Sequence, residues 1–329
     1  MRQVGDCSSA MTTSDPERIK VSFVIPAYNA ADTIGTAIQS VLLPKKEIPC
    51  GWQLEVIVVD DGSVDSGAIT HCRWDAVRVL RHLENRGKCA AINTGIGAST
   101  GDVVIILDAD DEMVDEWPAE FVHVLREWPP EVQVCYGLCR NDRGDLTATY
   151  PGYSGLLTAD DFINERYAGE YLPCFRGEYI RQRGYVDLGL LKRPCLVVSY
   201  LTLVGEGSFW ISSKVLRKYH DRRPGSITSN FADMRKAEDM VRCYEVLLAG
   251  FGDLYESRAP MVYQQKLLRQ AVYLSLARRR GAWRSWLRGA DLLCPLDTVG
   301  ALLVLMLGRR FCLLAVQAAK RMGLIRPYG

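Results

Sequence analysis

Several things are missing from this sequence of 329 residues. It has no excess of one charge: 40 lysines and arginines face 39 aspartates and glutamates. The basic footprint of a nucleic-acid binder is therefore absent, and nucleic acid is not an expected partner. It has no bundle of membrane-spanning segments, and the purely apolar stretch Ala301 to Leu307 is too short to cross a bilayer. Its 11 cysteines include no CxxC pair, and the nearest two, Cys135 and Cys139, have no histidine nearby to complete a zinc site. They read as reduced thiols, mostly buried. The opening "MRQVGDCSSAMTTSDPERIK" lacks the apolar centre of a signal peptide, so residues 1–18 read as a polar leader and the expected location is cytoplasmic.

With 48% apolar and 24% charged residues, the chain has the material for one large core or two smaller ones. Short apolar runs alternate with helical patterns through the first half. Strands are expected at Val21 to Ile25, Leu54 to Val59, Val77 to Leu80 and Val103 to Leu107. Between them, Ile34, Ala37, Ile38, Val41 and Leu42 recur at helical spacing up to Pro44, and Lys88 to Ala98 forms a further helical segment. Strands this apolar fit a sheet covered on both faces. In such sheets ligands bind beyond the carboxyl ends of the strands. Those ends carry "PAYNA", "DDGSVD", "HLENRGK" and "DADDE", four polar loops converging on one edge.

The last of these places Asp108, Asp110 and Asp111 directly after an apolar strand. Any one such loop could be a solvated turn. Three carboxylates held close repel one another and call for a compensating cation. Hard oxygen donors without histidine or cysteine suit magnesium or manganese, and such ions complete their shell with water and substrate phosphate. A phosphorylated ligand is thereby implied.

The order "IPAYNA", "VVDDGSVD", "ENRGKCAAINTGIGASTGDVVIILDADD" and, further on, "AED" at Ala237 to Asp239 resembles the inverting glycosyltransferases of family 2, which have the GT-A fold. The likeness runs from Val21 to about Asp115 and resumes more weakly from about Gly205 to Tyr263. It implies a GT-A type Rossmann-like α/β fold: a mixed, mainly parallel sheet flanked by helices, with a helical C-terminal extension. The expected division is a catalytic domain at 19–264, with a nucleotide-sugar half at 19–115 and an acceptor half at 116–264, followed by the extension at 265–329. The implied activity is hexosyl transfer from a nucleoside diphosphate sugar, UDP first, to a glycan, lipid-linked or small-molecule acceptor.

The resemblance also implies roles for single residues. Pro26, Ala27 and Tyr28 would meet the nucleotide base, Asp60 would accept from a uracil-type imide, and Asp61 would shape that loop. Asn85, Arg86, Gly87 and Lys88 would run beside base and ribose, with Arg86 or Lys88 near the diphosphate. Asp108, Ala109 and Asp110 form the DxD-like triplet, with Asp110 and Asp108 as ligands of Mn2+ or Mg2+ and Asp111 orienting Asp110. Asp239 would be the general base. Its position at the start of an apolar helical face (Met240, Val241, Tyr244, Leu247, Leu248, Phe251) fits independently, although the helix dipole alone also favours an aspartate there. Glu206, Phe209, Trp210 and Glu238 are the acceptor candidates.

Two departures stand out. Where many relatives follow "PMVY" with arginine and histidine, this chain has Gln264, Gln265 and Lys266, so Lys266 or Arg269 is the candidate to compensate. The QxxRW motif of processive synthases is absent, which favours single-sugar transfer. Residues 139–204, with Tyr171, Tyr179, Arg181 and Arg183, match the family least and could hold the acceptor or simply cover a surface. The segment 278–312 interleaves Arg278 to Arg280, Trp283, Trp286 and Arg288 with apolar residues; it reads either as docked helices or as a peripheral membrane contact. A nucleotidyltransferase of related fold and a catalytically silent nucleotide-sugar binder are the competing readings; the first wants a glycine-rich phosphate loop that "PAYNAADTIG" lacks.

Overall fold

The computed structural model describes residues 18–64, 76–189, 195–205, 207–220, 234–290 and 296–308. Strands β1 (Lys20–Ala27), β2 (Gln53–Asp60), β3 (Val77–Arg81) and β4 (Val103–Ile106) lie parallel in the order β3-β2-β1-β4. Their register sets Ala27 beside Asp60 and Asp60 beside Arg81, so the loops that follow them leave from one edge. The sheet continues through β8 (Tyr171–Arg176), β6 (Val134–Asn141), β9 (Ser208–Tyr219) and β5 (Glu112–Met113), with β7 (Gly155–Thr158) also on β9. β1 to β4, β6 and β9 share one direction; β5, β7 and β8 run the other way.

Alternation along β1 explains the layers. Val21, Phe23 and Ile25 face one side, where α1 (Ile34–Leu42) and α3 (Trp117–Glu127) bring Ile38, Trp117 and Phe121. Phe23 meets Trp117 edge to face at 5.2 Å. Val24 faces the other side, under Ile92 and Ile96 of α2 (Lys88–Ala98), with Ile180 of α5 (Gly177–Arg183) and Leu203 of α6 (Leu196–Val204) in the same cluster. A short α4 (Ala159–Ile163) starts in a capping box made by Thr158 and Asp161.

The helices α7 (Met234–Arg258) and α8 (Pro260–Leu276) close over α6 through Val198, Leu201, Tyr244, Leu247 and Leu267. Helix α8 runs without a break through positions 264 and 265, where the expected extension begins. Helix α9 (Ala282–Gly289) lies along α8, held by Ser285 Oγ to Gln270 Oε1 (2.9 Å) and Arg288 to the Tyr263 hydroxyl (2.6 Å). The last described helix, α10 at 296–308, buries Ala301 and Val304. Among the described residues no helix is long and apolar enough to cross a membrane.

Candidate active site

Four loop segments meet at the carboxyl ends of β1 to β4. Beyond β1, Asn29 donates its backbone N–H to Ser63 Oγ (2.8 Å), and its side-chain oxygen accepts from Val64 N–H (3.1 Å). The β1 and β2 loops are thereby tied together, with Ala27 buried, Pro26 half-buried and Tyr28 exposed above them. Asp60 ends β2 with 1% exposure. One of its oxygens accepts from Ser63 N–H (2.9 Å); Oδ2 lies 3.5 Å from Arg81 Nε and accepts no hydrogen bond. A buried carboxylate oxygen left this way is costly, and a donor from a ligand would relieve it.

Asp61 turns the opposite way and organises the third loop. It accepts from the backbone N–H groups of Arg86 (2.9 Å) and Gly87 (2.8 Å), just ahead of α2, while His82 Nδ1 lies 2.6 Å from it. Gly87 N–H is shared with Asn85 Oδ1 at 3.0 Å. Gly62 permits this approach: its φ is +72°, and a Cβ there would lie 2.5 Å from the Glu84 carbonyl carbon. The Arg86 side chain is exposed, and Lys88 begins α2.

Lys88 Nζ reaches Asp108 at 2.6 Å. Burial works against the Asp108 charge, but Lys88 and Arg217 outweigh it and hold the carboxyl below its ordinary range. The Ala109 carbonyl accepts from Thr33 Oγ1 at 2.6 Å, which fixes the acidic turn to the start of α1. Asp108 and Asp110 are half-buried, Asp111 is buried, and one oxygen from each of the three lies within 4.8 Å of the others. Asp111 is pushed up to about 7 by its burial and by its two acidic neighbours, against Arg217 and the His220 N–H. Its Oδ2 is 3.2 Å from the Arg217 guanidinium yet accepts no hydrogen bond. Three hard oxygen donors with one orphaned buried oxygen among them fit a divalent ion of the magnesium or manganese type.

Part of the compensating charge, however, is supplied by the protein. Arg217 is buried, with its guanidinium 3.6 Å from Glu170 and its Nε donating to Cys139 Sγ at 3.1 Å. His220 stands behind the same turn. Its backbone N–H donates to Asp111 (3.1 Å), and its ring bridges Asp142 (2.5 Å) and Glu112 (2.7 Å). Sequence reasoning missed Arg217, His220 and Glu170. The one signal was an arginine inside an apolar strand, masked by the lysines on either side of "KVLRKY".

The remaining candidates are placed as follows. Asp239 lies near the start of α7, half-buried and in contact with neighbours. Glu238 is exposed and paired with Arg279 at 3.3 Å; one residue along a helix turns the side chain by about 100° from Asp239. Glu206 lies outside the described residues. Phe209 departs from the expectation, while Trp210 is half-buried. Phe209 is wholly buried, edge-on to Tyr136 at 4.9 Å, and Trp210 packs on the opposite face of β9 against the α1/α3 core. Successive strand residues face opposite sides of the sheet, so the two do not share one face. Lys266 and Arg269 are also engaged elsewhere: Lys266 is buried against Glu165, and Arg269 bonds the Tyr244 hydroxyl.

Comparison with known proteins agrees with this geometry. Residues 22–167 match the model described as Glycosyl transferase family 2. That match takes in less than half of this chain. A relative, the succinoglycan biosynthesis protein ExoO of Rhizobium meliloti (strain 1021), is 44% identical over 93 residues, 28% of this chain and 25% of that protein. The matched stretches cover less than half the length of the first curated relatives. Among solved structures, S. aureus TarS 1-349 in complex with UDP-GlcNAc superposes with a TM-score of 0.54 at 18% identity, covering 86% of this chain and 79% of that one. The mannosyltransferase PcManGT of Pyrobaculum calidifontis, in complex with GDP-Man and Mn2+, gives 0.53 at 20% identity, covering 98% and 86%. The fold is of the GT-A glycosyltransferase type.

Proposed function

We propose that this chain is an inverting glycosyltransferase that moves a hexosyl group from a UDP-sugar to an acceptor hydroxyl. The observation that carries the reading is the pairing, on one sheet edge, of the Asp108/Asp110/Asp111 cluster with the buried, unsatisfied Asp60 oxygen. Ser63 already occupies Oδ1, which leaves one oxygen for one imide N–H. That matches uracil better than guanine, which presents two adjacent N–H donors. Tyr28, half exposed, offers a ring above the base, and the Asn85 to Lys88 turn passes on the ribose side.

Asp110 and Asp108 would hold Mn2+ or Mg2+, which when bound supplies Lewis-acid stabilisation of a leaving diphosphate. Lys88 adds a fixed positive charge beside Asp108. Across the sugar, Asp239 takes the acceptor proton, since a neutral alcohol is a weak nucleophile. Asp239→Asn should abolish transfer and leave UDP binding intact; a variant that also fails to bind UDP removes Asp239 from the role of base.

We also propose peripheral attachment through the C-terminal helices. Trp283 (52% exposed), Leu287 (69%), Val299 (53%) and Met306 (67%) leave an apolar surface in water beside Arg278 to Arg280 and Arg284. Exposed apolar side chains with arginines near them in the chain suit an anionic bilayer. Co-sedimentation with phosphatidylglycerol vesicles, lost in Trp283→Ser/Leu287→Ser, supports attachment; equal pelleting of the variant contradicts it.

A further inference from the structure

On the β7 side of the sheet, the turn at 149–153, together with Arg166 and Tyr167, lines an open hollow of about 550 Å³. Its size falls among small-molecule pockets, roughly 300–1,000 Å³. The walls are tyrosine. Tyr153 and Tyr167 stack at 4.5 Å and 24°, and Tyr150 stands edge-on to Tyr167 at 5.7 Å while 54% exposed. Backbone bonds hold the turn in shape: Thr149 N–H and its hydroxyl both donate to the Ala168 carbonyl (2.9 and 2.8 Å), and the Tyr153 hydroxyl donates to the Leu156 carbonyl (2.8 Å). The cavity is thus pre-formed, which lowers the ordering cost of binding.

Its chemistry is neutral and amphipathic. Arg166 is the cation in the lining, and Asp161 neutralises it at 2.5 Å, so an anionic ligand finds little net attraction. A pyranose ring suits such walls: its C–H face lies on a flat tyrosine, and its hydroxyls meet a guanidinium and phenolic hydroxyls.

The location ties the cavity to the reacting edge. Two residues, at most about 10 Å of extended chain, separate Tyr167 from Glu170, whose carboxylate is 3.6 Å from the arginine that holds Asp111. Tyr153, Tyr167, Tyr171 and Tyr200 pack against the same buried cluster; Tyr136, one of its members, stacks on Tyr171 (5.3 Å) and meets Tyr200 edge-on (5.8 Å). The Tyr171 hydroxyl is buried and has no hydrogen-bond partner. The geometry points to a carbohydrate subsite at Tyr150, Gly152, Tyr153 and Tyr167 that holds a neutral sugar ring of a glycan acceptor, one or more units from the ring that reacts. As an acceptor subsite it rests on the transferase reading; as a sugar site it stands on the cavity.

Gly152 makes a clean test, because a Cβ there meets nothing within 4 Å and its φ is not positive. Gly152→Leu should fill the cavity without disturbing the fold, and Tyr150→Ala should remove an exposed ring. Saturation-transfer NMR on the full chain, with linear gluco- and galacto-oligosaccharides of increasing length, reads binding, and the UDP-induced thermal shift reads the donor site. Expected is contact that strengthens with length and weakens about tenfold in both variants, with the UDP shift unchanged. If no oligosaccharide in the series contacts the wild type, or both variants bind as well as wild type, the subsite is wrong. If oligosaccharides bind through the cavity but UDP shifts nothing in any variant, the sugar site stands and the transferase reading falls.

Discussion

Replacing Arg217 by methionine tests whether the acidic turn is balanced from within the protein. The guanidinium is 3% exposed and faces Asp111, itself 2% exposed, at 3.2 Å. Removing one partner of a buried pair leaves an uncompensated charge, at a cost of about 3–5 kcal/mol. Urea unfolding at pH 7.5 without metal should show that loss, and Asp111→Asn in the same chain should recover most of it. The pH dependence has a definite sign. Burial lifts Asp111 to about 7 in the folded state, above the ordinary 3.8, so the folded protein binds the proton more tightly. Its contribution therefore favours stability at low pH and declines as pH rises between those values. Arg217→Met moves the folded value higher still, so its deficit against wild type should grow from pH 5, where the loss of Asp108 and Glu170 as partners remains, to pH 8, where the loss of Asp111 is added. A loss below about 1 kcal/mol at pH 7.5, or a double variant no better than Arg217→Met, would refute the pairing.

Other outcomes follow from the same geometry. Gly62→Ala forces a positive φ and a 2.5 Å clash onto the Glu84 backbone, so it should weaken UDP affinity and lower stability by about 1–3 kcal/mol, read by calorimetry and urea unfolding. Phe209→Ala should cost about 3–5 kcal/mol in unfolding free energy, as for a core residue; a loss near zero would return Phe209 to a cleft. Glu55 accepts from Ser22 Oγ (2.6 Å) and Thr100 N–H (3.0 Å) with Lys20 3.6 Å away; burial opposes its charge, yet these groups lower its pKa from 4.5. Glu55→Gln should cost about 1–2 kcal/mol at neutral pH, and the gap should close as the pH falls below the ordinary glutamate range.

The parallel strands, α1 and α2 were legible because near-continuous apolar runs bounded by polar turns leave little choice of period. β1 to β3 extend those runs by a residue or two, as at Lys20 and Asp60, where ladder bonds continue past the last apolar side chain, whereas β4 ends one residue short, at Ile106. The gathering of Asp60, Asp61, Lys88 and Asp108 at one edge followed from parallel register. Less was legible in β9. Register shifts in its pairing with β6 let Leu216 and Arg217 both be buried, against simple alternation. The tyrosine hollow draws on two short segments, 149–153 and 166–167, on either side of β7 and α4, so no periodic signal marks it. Lys266 is held by Glu165, about a hundred residues earlier in the chain, a pairing set only by how α8 packs.

The most direct measurement is the thermal unfolding of wild type and Asp110→Ala with UDP, with and without Mn2+. At about a hundred times its dissociation constant, a ligand adds roughly 2.7 kcal/mol to the folded state. The proposed site predicts that UDP with Mn2+ stabilises the wild type by that order and that the metal-dependent part disappears in Asp110→Ala. An identical metal-dependent shift in both proteins would contradict the assignment of Asp108, Asp110 and Asp111 as the diphosphate-metal site.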